Sequence, residues 1–154
     1  MIENQNISVV VQGPIQNNYQ GRSHHEEGIT QLCLSSIRKV LPGAKLIIST
    51  WPGQDLEGLD YDQLIISDDP GANTDSFCPA NYNRQILSTR AGLNAVDTDY
   101  AIKLRSDNFL KTDNFKQLLQ RYSKTNPDDK VFTNKVLINA NLSRMFSRGR
   151  RVAF

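Results

Sequence analysis

Three stretches of the chain set apolar residues side by side. Val9-Val10-Val11 lies within Ile7 to Val11, Leu46-Ile47-Ile48 within Lys45 to Ser49, and Leu64-Ile65-Ile66 within Gln63 to Ser67. Runs of this kind, rich in β-branched residues, predict parallel strands covered on both faces. A fourth run, Tyr100 to Leu104, alternates instead. It points Ile102 and Leu104 one way, and Lys103, Arg105 and Asp107 the other. Helical spacing fills the intervals. Thr30 can cap a helix whose stripe is Leu32, Cys33, Ser36, Ile37, Val40 and Leu41, stopped by Pro42-Gly43. Asn83 to Val96 reads as a second helix with Tyr82, Ile86, Leu93 and Val96 on its apolar side. A third should start after Thr112 or Asp113, bury Phe115, Leu118, Leu119 and Tyr122, and end before Pro127. A further strand is expected at Lys130 to Asn139. The order β-α-β-β-α-β-α-β predicts an α/β fold: a mostly parallel, Rossmann-like sheet flanked by helices, with right-handed crossovers.

In such a sheet, ligands bind beyond the carboxyl ends of the strands. Here those ends are Gln12-Gly13-Pro14, Thr50-Trp51-Pro52-Gly53, Asp68-Asp69-Pro70-Gly71 and Arg105-Ser106-Asp107-Asn108. If the strands are parallel, the four segments meet in one crevice. Asp107 can hold Mg²⁺ or Mn²⁺, which take one or two carboxylates and complete their shell with phosphate oxygens and water. Arg105 and Lys103 can neutralise a diphosphate. A structural ion pair of Arg105 with Asp107, or with Asp97 and Asp99, explains the same residues. Asp69-Pro70-Gly71 is ordinary turn chemistry as well as a candidate hydrogen-bond acceptor for a base or ribose. Arg84, at the start of the second helix, and Arg90, about 40° from its stripe at roughly 100° per residue, are candidate anion ligands or surface arginines. His24-His25-Glu26-Glu27 lacks metal-ligand spacing and reads as a solvated loop.

Composition narrows the classes. The 154 residues suffice for one domain with a real core, and no internal repeat or low-complexity segment divides them. The formal charge is only +2, which does not call for nucleic acid. Arg144, Arg148, Arg150 and Arg151 form a basic tail within residues 141–154; removing their four charges takes +2 to −2. That tail is expected to be partly disordered, or to contact an anionic or membrane surface. Two isolated cysteines, Cys33 and Cys78, fit a reducing compartment, with Cys33 in the core. A signal peptide and a run of roughly 18 apolar residues are both missing. The expected location is the cytoplasm, with peripheral attachment to the inner membrane.

Taken together and in order, "VVVQGPI", "CLSSIRKVLPGAKLIISTW", "IISDDPG", "NYNRQILSTRAGL" and "YAIKLRSDNFL" resemble the WavE lipopolysaccharide-synthesis family over about residues 7–140. That family is similar to glycosyltransferases of the GT-A fold, which use nucleotide-diphosphate sugars. The resemblance implies a single nucleotide-sugar-binding α/β domain. Gln12, Gly13, Pro14, Asp68 and Asp69 would line a nucleoside pocket, with Arg84 and Arg90 near the donor. Arg105 to Asp107 would replace the Asp-x-Asp motif, leaving Asp107 as the one metal carboxylate and Arg105 to compensate phosphate charge. The implied partners are a nucleotide-diphosphate sugar and a glycan or lipid-linked acceptor, with no nucleic acid. The acceptor-binding half that would supply a catalytic base is expected beyond Phe154, so no base is named. An unfinished sheet would expose apolar surface and favour a homo-oligomer. Two other readings stand: a non-catalytic nucleotide-binding or scaffold protein, and a sugar nucleotidyltransferase. The second would want a Gly-rich phosphate loop, for which "QGPIQNNYQG" is a poor match.

Overall fold

The apolar runs do become strands. In the computed structural model, residues 2–16, 28–73, 81–121, 134, 136–137, 145–147 and 150–152 are described. The chain divides into two compact units, Met1–Asp113 and Asn114–Phe154. In the first, a single 3₁₀ turn (Asn4–Asn6) leads into β1 (Ile7–Gln12), α1 (Ile29–Val40), β2 (Lys45–Thr50), β3 (Gln63–Ile66), α2 (Tyr82–Asn94) and β4 (Tyr100–Arg105). The four strands form one parallel sheet in the order β3-β2-β1-β4. The α/β class expected from the pattern is what the chain adopts.

Strand order explains which runs are uninterrupted. β1 and β2 lie inside the sheet, and every residue of β1 is buried. Val9, Val10, Leu46, Ile47 and Ile48 have no exposed surface. β3 and β4 are the outer strands of the described sheet, and neither is buried throughout. The chain crosses from β1 to β2 in one direction and from β3 to β4 in the other. Right-handed crossovers therefore put α1 and α2 on opposite faces. Side-chain contacts agree. α2 lies on the Val10 and Ser49 face, where the Ser49 hydroxyl donates to the Ser88 carbonyl at 2.6 Å. Val9, Val11, Leu46 and Ile48 alternate to the other face and are buried, as are Cys33, Leu34 and Ile37 of α1.

Several local expectations fail for identifiable reasons. Thr30 is not the cap of α1. Gly28 takes that place, in a left-handed conformation (φ 71°), and the buried Thr30 hydroxyl accepts the Gln16 N–H at 2.9 Å. On α1, Leu34 is buried and Leu32 exposed, so the stripe is rotated toward Leu34. The correction at α2 is larger. Tyr82, Ile86 and Leu93 are 63%, 66% and 40% exposed, while Ser88 and Gly92 are buried. Small residues let the helix backbone come close to the sheet, and that face wins over the apolar one. β4 is likewise half-covered at best, with Lys103 and Arg105 exposed.

The second unit contains α3 (Phe115–Arg121) and an antiparallel hairpin of β5 (Met145–Ser147) and β6 (Arg150–Val152). No described residue of α3 is buried, so the expected burial of Phe115, Leu118 and Leu119 does not occur. Tyr122 lies outside the described residues, as do Cys78 and the segment from His24 to Glu27. So does most of the strand expected at 130–139, within which the described Asn134, Val136 and Leu137 belong to no strand. Part of the basic tail is the β5–β6 hairpin. Among the described residues, no helix is long and apolar enough to cross a membrane.

Candidate functional site

The four strand ends all lie at one end of the sheet, because the strands are parallel. Their order matters as much. The topological switch point falls between β1 and β4, where the crossover direction reverses. At that point β1 delivers Gln12, Gly13 and Pro14, and β4 delivers Arg105, Ser106 and Asp107.

Gly13 has φ 135°, which disfavours any residue with a Cβ. A Cβ there would also stand 2.7 Å from the Ser106 Oγ. Ser106, itself buried, donates to the Pro14 carbonyl at 2.7 Å, and its N–H donates to the Gln12 carbonyl at 3.0 Å. The two loops are thereby latched together. Gln12 is 2% exposed, and its side-chain Oε1 is buried with no hydrogen-bond partner. An unpaired buried acceptor of this kind costs about 1–3 kcal/mol.

Arg105 and Asp107 form a two-point ion pair, Nε to Oδ1 at 2.9 Å and Nη2 to Oδ2 at 2.6 Å. The structural pairing of Arg105 with Asp107 weighed from the sequence is therefore present, whereas Asp97 pairs with Lys45 at 2.7 Å rather than with Arg105. Asp107 lies in the turn after β4, not on the strand. Its side chain is 18% exposed, that of Arg105 49%. Two of the five guanidinium N–H groups meet Asp107. Lys103, one strand step below Arg105, has its ammonium held below the usual lysine value. Desolvation is the main cause and repulsion from Arg105 adds to it, while Asp107 pulls the other way.

A second cluster forms beyond the ends of β2 and β3. Asp69 accepts Arg84 Nε and Nη2, each at 2.6 Å, and the Gly71 N–H at 2.9 Å. Arg84 also donates from Nη1 to Asn81 at 3.0 Å, and its guanidinium lies 5.4 Å from the Trp51 ring centroid. The Arg84 hydrogen bonds hold the Asp69 carboxyl below its ordinary value, and Asp69 raises Arg84. Arg84 thus turns back to Asp69 rather than pointing away from the strand ends. Asp68 is exposed. Arg90 does not reach beneath the sheet edge. It is exposed and, with Ile86, Leu93 and Lys103, lines an open groove of about 640 Å³ between α2 and β4.

Among the described residues, the paired candidate charges fall into two clusters. Asp69 follows one outer strand and Asp107 the other, three strand spacings apart, about 14 Å. The described residues do not offer a cation a ready set of ligands. They contain no group of three His, Cys, Asp or Glu side chains, and both oxygens of Asp107 already meet Arg105. Sequence reasoning placed Trp51 and Ser106 at the strand ends but assigned neither a role of its own. Their signal was their position directly after β2 and β4, the rule that selected Gln12 and Asp107.

No curated protein and no solved structure gives a significant match to the chain. A family model described as WavE lipopolysaccharide synthesis matches residues 7–154, nearly its whole length. With that match spanning the parallel sheet and both charged clusters, the chain belongs to the WavE lipopolysaccharide synthesis family.

Proposed function

We propose that the protein is a glycosyltransferase of lipopolysaccharide or related surface-glycan synthesis, and that its described sheet binds the nucleotide-diphosphate-sugar donor. The observation that carries this is the half-exposed Arg105 guanidinium, braced by Asp107, at the end of β4 where Ser106 meets Gly13 at the switch point. In the reaction, an acceptor hydroxyl attacks the anomeric carbon of the donor sugar and gives up its proton to a general base or to solvent. The bond from that carbon to the diphosphate oxygen breaks, and the nucleoside diphosphate leaves with the electron pair. Negative charge builds on the departing diphosphate. A cation fixed in advance stabilises that charge without reorganising. Arg105 is such a cation, oriented by Asp107 with N–H groups to spare, and Lys103 adds a second charge on the same strand face. Arg105 takes the charge-neutralising role that a metal plays in other diphosphate sites. Donor binding accordingly needs no Mg²⁺ or Mn²⁺. The acceptor is a glycan or lipid-linked glycan, met at the cytoplasmic face of the membrane.

Isothermal titration calorimetry with UDP, GDP, CDP and CMP tests this. At least one diphosphate should bind, with the affinity unchanged by EDTA or added Mn²⁺. Arg105→Ala should weaken it at least tenfold. Asp107→Asn should weaken it less, by loosening Arg105. Absence of binding by all four nucleotides would sink the donor assignment. Binding that requires Mn²⁺ and vanishes in Asp107→Asn would return the charge-neutralising role to a metal.

A further inference from the structure

The cluster around Trp51 is not explained by diphosphate binding. Arg84 is committed to Asp69 and Asn81 through three of its nitrogens, so it is poorly placed to serve as a phosphate ligand. What these bonds do is hold a flat cation over the indole of Trp51. Trp51 is partly exposed at the carboxyl end of β2. We propose that Trp51 is the stacking platform for the nucleobase of the donor, with Arg84 and Asp69 as positioning residues that fix the indole. The proposal rests on the nucleotide assignment above and specifies which part of the ligand lies where.

Three features support it. Ser49 faces α2, and two residues on, Trp51 emerges on that same side. Gln12 and Arg105, which occupy one row with Ser49, face the same way. Trp51 and Arg105 thus belong to one surface. Their strands are separated by β1 alone, two strand spacings or about 10 Å. A nucleoside diphosphate laid across the strand ends would put its base on β2 and its diphosphate on β4. Its ribose would then cross the end of β1 at Gln12 and Gly13. Finally, the loop is already in place. Gln54 Oε1, three residues past Trp51, accepts the Ile15 N–H at 2.8 Å and ties the β2–β3 connection to the β1 loop. Asp69 then contributes to base binding through Arg84, not by direct contact.

Trp51 is the only tryptophan in the chain, so intrinsic fluorescence reports on this residue alone. The full chain is titrated with a nucleoside diphosphate found to bind by calorimetry, and separately with inorganic pyrophosphate, correcting for nucleotide absorbance. The nucleotide should quench or shift the emission, and pyrophosphate should not. Trp51→Leu should weaken the nucleotide about tenfold or more and leave pyrophosphate affinity unchanged, while Trp51→Phe keeps most of the binding. Calorimetric binding of the nucleotide with unaltered Trp51 emission, and equal affinity in Trp51→Leu, would overturn the stacking proposal and leave the donor assignment standing. An equal emission change with pyrophosphate alone would also overturn it. Should no nucleotide bind in calorimetry, both fall. The wild-type titration decides the matter even if Trp51→Leu does not fold.

Discussion

Gly92 sets how closely α2 lies on the sheet, and replacing it opposes two effects of known sign. An ideal Cβ at Gly92 would stand 2.4 Å from Val10 Cγ1 and 2.9 Å from Ser49 Cβ. Carbon atoms are comfortable at about 3.5–4.0 Å, so Gly92→Ala leaves the Val10 contact short by about 1.1–1.6 Å. Val10 has no exposed surface and sits in β1 between β2 and β4, so it has no room to yield. The helix must lift by about 1 Å instead, loosening the Ser49–Ser88 hydrogen bond. Helix propensity works the other way and favours alanine by about 1 kcal/mol. Overpacking costs about 1–3 kcal/mol, and a backbone-borne clash this short belongs at the upper end. The expected net loss is about 1–2 kcal/mol, a fall in Tm of roughly 5 °C or more for a unit of this size. Urea denaturation followed by far-UV circular dichroism should show a lower midpoint with an unchanged slope. Adding Val10→Ala to Gly92→Ala should cost less than the sum of the two single changes. A Gly92→Ala protein as stable as the parent, or more stable, would refute the close-packing argument.

Three further outcomes follow from the charge and burial of named groups. Asp62 accepts Arg38 Nη1 and Nη2 at 3.1 and 3.0 Å and the Leu46 N–H at 2.6 Å, and Arg38 foremost holds its carboxyl below the ordinary value. Asp62→Asn should cost about 1 kcal/mol at pH 7. A depressed carboxyl stabilises fully above about pH 4–5 and loses that stabilisation as pH falls through its folded value. Denaturation curves of parent and variant should therefore converge on acidification, and a difference that persists at low pH would contradict the ion-pair origin. The Cys33 thiol is buried and pushed up to about 12, chiefly by desolvation. In a Cys78→Ser background it should resist a thiol reagent at pH 8 when folded and react fully in guanidinium; rapid labelling of the folded protein would show the burial to be wrong. Lys103 carries a desolvated charge beside Arg105. Lys103→Met should leave the free protein as stable or more stable, within about 0.5 kcal/mol at neutral pH. Any gain should shrink as pH rises toward lysine's ordinary value. The same change should weaken diphosphate binding, and intact binding would remove Lys103 from the donor site.

Much of the fold was legible along the chain. Unbroken apolar runs need cover on both faces, and β1 and β2 have it. The lengths of β1, β2 and β4 were each missed by one residue at the carboxyl end, where Gln12, Thr50 and Arg105 continue the ladder despite being polar. Backbone hydrogen bonding does not depend on the side chain, so polarity was a poor stop signal there. The Arg105–Asp107 pair was also legible, since residues two apart near a strand end can meet. The long-range partners were not. Nothing local links Asp69 to Arg84, fifteen residues on, or either to Trp51.

What the sequence determined by itself is the class of the fold and the end of the sheet where polar chemistry gathers. Both depend on short-range patterns: consecutive apolar residues for a doubly covered strand, and Gly, Pro and Asp where each strand stops. Only the tertiary structure decided the strand order, and with it which strand ends are neighbours. That order put Asp69 and Asp107 beyond the ends of opposite outer strands and joined Gly13 to Ser106. It also decided which face of α2 is buried. Hydrophobicity pointed to Ile86 and Leu93, but close approach of helix to sheet favoured Gly92 and Ser88. Steric fit between elements far apart in the chain has no local signature, and so it is read only once they are packed.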